Sequence, residues 1–253
     1  MKSKKIVVGN WKMEPHFIAD ATRLFTGVKK TAEKLTSVKT VVAPPFVYIH
    51  DLKKKYKGEN ISLAGQDVFN EMGGAFTGEV SPLQLMSVGA EYCIVGHSER
   101  RKLGETDVVV AEKVQAVLKA GLTAIVCVGE NVRDQSGAYL DFVANQLRVT
   151  LSKVQKKNIR GLIVAYEPVW AIGNSEALNA ALIQEMAIFI RKILSDLFGQ
   201  EEASDVPVLY GGSISSRNAE DVMRGGGVQG LLVGRESLNV ESFREILKIV
   251  EKM

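Results

Sequence analysis

A chain of 253 residues, 46% hydrophobic and 24% charged, has ordinary globular composition and enough apolar material for a substantial core, which argues against global disorder. Its net charge of +3 is small and its Lys and Arg are scattered, so no dedicated nucleic-acid surface is expected. The basic start, Met1 to Lys5, leads only into Ile6-Val7-Val8 before Gly9-Asn10. That is short of the about 7–15 apolar residues of a secretory segment, and no run nears the ~20 of a membrane span, so a cytoplasmic protein is expected.

In chain order, short runs rich in β-branched residues occur at Lys5–Asn10, Thr40–Ala43, Ile61–Gly65, Tyr92–Gly96, Thr123–Val128, Gly161–Tyr166, Val208–Tyr210 and Gly230–Val233. Each predicts a strand. Segments with apolar residues three and four apart fall between them, as in Val108–Leu118, Phe142–Val154, Leu178–Leu197 and Phe243–Val250, and predict helices. Cys93 and Cys127, the only cysteines, lie inside apolar runs and read as buried, reduced thiols. Lys53-Lys54-Lys55 falls in a helical pattern and reads as a solvated face.

Strands alternating with helices imply parallel βαβ units. Eight such units in one chain of this length favour closure into an α/β, eight-stranded parallel (β/α)8 barrel, with residues 1–253 as a single domain; an open doubly wound sheet is the alternative. A barrel collects its chemistry at the C-terminal ends of the strands. Here those ends read Asn10-Trp11-Lys12, Gly96-His97-Ser98-Glu99, Tyr166-Glu167-Pro168, Gly211-Gly212-Ser213 and Gly234-Arg235-Glu236-Ser237.

Glu167 follows mostly apolar residues and precedes a proline, a setting suited to a general base with little competing hydration; a surface Glu is the plainer reading. His97 stands where Ser98-Glu99-Arg100 could open a helical turn, whose N–H groups would bond an imidazole nitrogen and favour the neutral ring. A structural histidine or a metal ligand are the other options for it. His16 and His50 make no zinc spacing with it, so no metal site is expected. Lys12 at the same mouth would neutralise an anionic substrate. Ala171-Ile172-Gly173, Gly211-Gly212-Ser213 and Gly234-Arg235-Glu236 offer backbone N–H donors for a phosphate, in keeping with phosphate sites after the last two strands of such barrels. Residues 225–230 formally match G-x-G-x-x-G, but they end a helix and precede a strand, the reverse of a dinucleotide fingerprint. No cofactor is expected.

These segments resemble the triosephosphate isomerase family across essentially the whole chain, from Gly9-Asn10-Trp11-Lys12-Met13 to Gly234. The most specific stretches are residues 95–101 (VGHSERR), 165–173 (AYEPVWAIG) and 210–213 (YGGS). The resemblance implies a TIM barrel that interconverts dihydroxyacetone phosphate and glyceraldehyde 3-phosphate through an enediolate, in glycolysis and gluconeogenesis. Glu167 would carry the carbon-bound proton and His97 the oxygen-bound one, a Glu base beside a neutral His being this family's own well-known arrangement. Lys12 and Asn10 would bind and polarise the substrate, with Glu99 assisting Lys12. Gly173, Ser213, Gly234 and Arg235 would hold the phosphate.

By the same resemblance, Pro168 to about Glu176 would form a lid, with Ile172 and Leu232 closing an apolar clamp over the base. Phe69–Glu79 would be an arm inserted into a second subunit of a homodimer, Thr77 nearing that subunit's Asn10 and Lys12, with Gln66 and Glu79 supporting the interface. Leaving Met72, Ala75 and Phe76 exposed would otherwise be costly.

The chain departs from the family pattern at Asn174-Ser175, where Thr-Gly is usual, and at Arg235, where a second glycine is usual. A positive φ at Arg235 would carry strain. Glu14 also replaces a common asparagine and is assigned no role. The rival readings are another phosphosugar isomerase on the same barrel, or a catalytically impaired relative that only binds.

Overall fold

The computed structural model describes residues 4–171 and 179–253. Its strands are β1 (Lys5–Asn10), β2 (Val38–Ala43), β3 (Ile61–Gly65), β4 (Ala90–Val95), β5 (Thr123–Val128), β6 (Leu162–Tyr166), β7 (Val208–Tyr210) and β8 (Gly230–Val233). They pair in sequence order, all parallel, and β8 returns to β1 with Val7 beside Leu231 and Val8 beside Leu232. That last pairing closes the barrel and rules out the open sheet.

Along each strand the side chains alternate between two apolar layers, as the period of two requires. Val8, Val41, Ala64, Ile94, Ile125, Ile163, Leu209 and Leu232 point inward and fill the barrel. Neighbours such as Val7, Val42, Val95, Val126 and Val164 point outward against the helices. Barrel strands covered on both faces therefore read as continuous apolar runs.

The helices are α1 (Ile18–Ala32), α2 (Ile49–Lys54), α3 (Pro82–Ser87), α4 (Ser98–Lys102), α5 (Asp107–Lys119), α6 (Ala138–Thr150), α7 (Ala180–Phe198), α8 (Gln200–Ser204), α9 (Ala219–Gly225) and α10 (Val240–Glu251). α6 lies four residues nearer the N-terminus than its apolar spacing predicts. Its start is set by Asp134, whose carboxylate accepts bonds from the N–H groups of Ser136, Ala138 and Tyr139. The apolar pattern runs on to Val154 because that residue still packs on the core after the helix has ended. α10 likewise begins three residues before Phe243, where the Asn239 side chain accepts the Ser242 N–H at 3.0 Å.

Cys93 and Cys127 are buried and unpaired. Burial pushes both thiols up, and the nearby carboxylates of Asp67 and Glu167, respectively, add to it. Among the described residues no helix is long and apolar enough to cross a membrane.

Candidate active site

At the C-terminal mouth of the barrel lies a cavity of about 250 Å³ lined by Asn10, Lys12, His97, Glu167, Gly211 to Ser215, Asn218, Leu232 and Gly234 to Glu236. It brings together residues from the ends of β1, β4, β6, β7 and β8. Glu167 is only 2% exposed. Its backbone N–H donates to the Val128 carbonyl at 2.7 Å, extending the β5–β6 ladder by one residue beyond the strand. One carboxylate oxygen accepts from the Ser98 N–H at 3.1 Å and the other lies 3.2 Å from His97 Nε2. Two glycines make room for this segment. A Cβ on Gly129 would come within 1.8 Å of the Glu167 carbonyl oxygen, and one on Gly211 within 2.9 Å of Glu167 Cγ.

His97 immediately precedes α4, and its Nδ1 accepts the Glu99 N–H at 3.2 Å. A nitrogen that accepts carries no proton, so the ring hydrogen sits on Nε2, facing Glu167 and the cavity. The turn at the start of α4 thus selects the tautomer that can donate to a substrate oxygen.

Lys12 has φ of 53°, and among the described residues it is the one non-glycine with positive φ. Such a conformation persists only where neighbours over-determine it. Here the Asn10 side chain accepts the Lys12 N–H at 3.0 Å, and Gln66 Nε2 donates to the Lys12 carbonyl at 2.7 Å and to Ala43 at 2.8 Å. Gln66, expected at an interface, is therefore occupied in holding the loop after β1. The Lys12 ammonium sits 2.5 Å from Glu99. Burial pushes the Glu99 carboxyl up, but the Lys12 hydrogen bond and charge outweigh it, and the net position is below the ordinary value.

Ser237 is fully buried. Its hydroxyl reaches the Gly234 carbonyl at 2.7 Å and the Asn10 carbonyl at 3.2 Å, which fastens the turn after β8 to the end of β1. Arg235 is not among the positive-φ residues, so the strain feared for a non-glycine there is absent. Leu232 packs in the inner barrel layer beside Gly211 and lines the cavity. The Ser213 hydroxyl is 3.4 Å from the Ala171 carbonyl. Pro168 is buried directly after Glu167. Ile172 and Gly173, with Asn174, Ser175 and Glu176 of the expected lid, lie outside the described residues.

Sequence reasoning missed Glu130. Its carboxylate, 1% exposed, accepts from Tyr166 at 2.9 Å and Trp170 at 2.8 Å, and its carbonyl accepts the Val169 N–H at 3.0 Å. Glu130 thereby grips the chain on both sides of Glu167. It stands just past the end of β5, so the strand-end rule that drew attention to Glu167 applies to it equally.

Next to the cavity, a second and larger hollow of about 550 Å³ opens between Met13, Phe46, Val47, Phe69 and Leu103 and reaches Lys12, His97 and Glu99. Met13 is 86% exposed and Leu103 78%. The segment 69–80 rises beside it, pinned at its base by the Phe69 N–H on the Val80 carbonyl at 2.8 Å, with the Phe69 and Phe76 rings 4.6 Å apart. Thr77 is exposed on that segment. Among the described residues no group of three or more His, Cys, Asp or Glu is placed to hold a metal ion.

A carboxylate facing an imidazole Nε2–H, with glycine turns after the last two strands across a small cavity, defines a class: barrel enzymes that move protons on small anionic substrates. Comparison with known proteins narrows it. A family model described as Triosephosphate isomerase matches residues 5–250. The chain is 39% identical to a triosephosphate isomerase of Natranaerobius thermophilus over 252 residues, covering 99% of this chain and 97% of that one. It is 38% identical to that of Endomicrobium trichonymphae (97% and 98% covered) and 39% identical to that of Flavobacterium johnsoniae (98% and 99%). The chain belongs to the triosephosphate isomerase family.

Proposed function

We propose that this chain, as one catalytic domain over residues 1–253, interconverts dihydroxyacetone phosphate and D-glyceraldehyde 3-phosphate through an enediolate, as an aldose–ketose isomerase serving glycolysis and gluconeogenesis in the cytoplasm. The observation that carries this reading is the Glu167 carboxylate 3.2 Å from His97 Nε2 on a cavity of about 250 Å³. Both reacting groups belong to the chain, and the reading needs no cofactor.

Glu167 takes the proton from the carbon next to the carbonyl and returns it to the neighbouring carbon. The Nε2–H of His97 donates to the oxygen that gains charge as the carbon–hydrogen bond breaks, and the ring moves that proton between the two oxygens. Lys12, aimed by Asn10 and Glu99, offsets the negative charge of substrate and enediolate. The backbone of Ser213, Gly234 and Arg235, with Gly173, supplies phosphate donors, and Pro168, Ile172 and Leu232 keep water from the base.

Solvent isotope tests the proton path. When glyceraldehyde 3-phosphate is converted in D2O, a carboxylate that holds the abstracted proton exchanges it with solvent, and deuterium should appear on C1 of the dihydroxyacetone phosphate formed. Proton NMR showing complete retention of protium would point to direct hydride transfer and contradict the assignment.

We also propose a homodimer in which segment 69–79 of one subunit enters the hollow of the other, Thr77 nearing Lys12 and Asn10 there. The exposed apolar groups Met13, Phe46, Val47 and Phe76 support this. Sedimentation should give twice the 27.6 kDa chain mass, with Thr77→Arg shifting the protein toward monomer and lowering activity. A concentration-independent monomer mass for the unaltered chain would rule the dimer out.

A further inference from the structure

The cavity is lined by two cations, Lys12 and Arg235, and two carboxylates besides the catalytic imidazole, Glu167 and Glu236. Three of these four charges are already engaged. Lys12 is paired with Glu99, Glu167 is held by Ser98 and His97, and Glu236 accepts the Ser242 hydroxyl. Arg235 has no ion pair or side-chain hydrogen bond among the described residues and is exposed to the solvent of the cavity mouth. Its backbone is nonetheless firmly mounted, because the turn it begins is tied down by the Ser237 N–H and hydroxyl on the Gly234 carbonyl. A Cβ placed on Gly234 would lie 3.6 Å from Lys12 Cε, so this turn runs alongside the other cation.

A phosphate dianion entering this cavity meets Lys12 already paired with Glu99, so an unpaired guanidinium at the mouth adds positive charge that Lys12 does not. Backbone N–H groups are uncharged donors, whereas a guanidinium offers planar paired donors and a full charge. We propose that Arg235 is a specificity-determining residue: its guanidinium contacts the substrate's phosphate, raises the affinity of the cavity for phosphate-bearing ligands and makes that affinity salt-dependent. The inference deepens the proposed function and rests on its placing the phosphate at the glycine turns after β7 and β8.

The test measures inorganic phosphate binding by calorimetry, and KM and kcat for glyceraldehyde 3-phosphate, at low and high salt. The unaltered chain is compared with Arg235→Gly, Arg235→Lys and Arg224→Ala. Arg224 pairs with Glu220 on α9, so Arg224→Ala removes the same formal charge at a residue that does not line the cavity. Arg235→Gly should weaken phosphate binding and raise KM roughly fivefold at low salt, the scale of an exposed ion pair. That gap should shrink as the Debye length falls from about 30 Å at 0.01 M to about 8 Å at 0.15 M, while kcat stays within about twofold. Arg235→Lys should keep the salt dependence with intermediate affinity, and Arg224→Ala should leave both quantities unchanged.

Phosphate affinity unchanged in Arg235→Gly, or lowered equally in Arg224→Ala, would overturn the proposal even with isomerase activity intact. Arg235-dependent phosphate binding by a chain that fails to turn over the triose phosphate would uphold the proposal and reject the proposed reaction.

Discussion

Glu167→Gln is expected to lower kcat roughly 10³-fold while leaving the fold and phosphate binding in place. The amide has the shape of the carboxylate and can still accept the Ser98 N–H through its oxygen, but it cannot take a proton from carbon. Its NH2 group would then face the His97 Nε2–H, donor against donor, where the carboxylate had an acceptor 3.2 Å away. A small loss of stability should accompany the loss of turnover, since that buried acceptor is removed. Circular dichroism and phosphate calorimetry separate the two effects. A variant that has lost phosphate binding in proportion to its activity would mean that the residue shapes the site instead of supplying the base.

The second large effect concerns stability. Lys113, 4% exposed on α5, bonds both oxygens of Asp67 at 2.8 Å and also Glu105, whose other cationic partner is Arg100 at 2.9 Å; Arg100 is in turn 3.0 Å from Asp67. Two carboxylates and two cations thus balance beneath the segment that rises at 69–80. Lys113→Met would leave Asp67 and Glu105 facing one another with Arg100 as the remaining cation, and removal of one partner from a buried ionic cluster costs about 3–5 kcal/mol. The urea midpoint, measured at fixed protein concentration, should fall accordingly. Adding Glu105→Gln to Lys113→Met should recover part of the loss, because the stranded charge is then gone. An unchanged midpoint would show that the cluster contributes nothing net.

The two carboxylates of this cluster respond to pH with opposite sign. Burial pushes Glu105 up, but its bonds to Lys113 and Arg100 bring it below its ordinary value. Its stabilising contribution is therefore present above the unfolded-state value and is lost as pH falls through the lower folded one. At Asp67 burial prevails over Lys113 and the carboxyl is raised. Its contribution is complete below the unfolded-state value and is lost as pH rises through the folded one. At neutral pH, Glu105→Gln should consequently cost more than Asp67→Asn.

Much of the site was legible because barrel geometry turns a one-dimensional feature, a polar residue after an apolar run, into a position at one mouth. Asn10, Lys12, His97, Glu167 and the glycine turns all carry that mark. Other groups carry no such mark, or carry it unheeded. The Ser98 contribution is a backbone N–H, which every residue but proline has. Gln66 follows β3 directly, yet its link to Lys12 spans a sequence separation that no local pattern encodes. Lys113 lies in an amphipathic helix, where a lysine reads as solvated, and its burial depends on two carboxylates drawn from other elements. Helix ends are less legible in the sequence than strands. The α6 start depends on the Asp134 side chain, which hydrophobic spacing does not register. That Arg235 has no partner among the described residues emerges only from the side-chain contacts of the other charges at the mouth.

Glu167 is proposed as the base of a triose phosphate isomerisation that this protein carries out without metal or nucleotide. The measurement that tests it most directly is the steady-state conversion of glyceraldehyde 3-phosphate by the purified protein without added metal or nucleotide, run beside Glu167→Gln. Rapid turnover by the unaltered chain, nearly abolished in a folded variant that still binds phosphate, is the predicted result. Equal rates in the two proteins, or no conversion by a folded chain that binds phosphate, would contradict it.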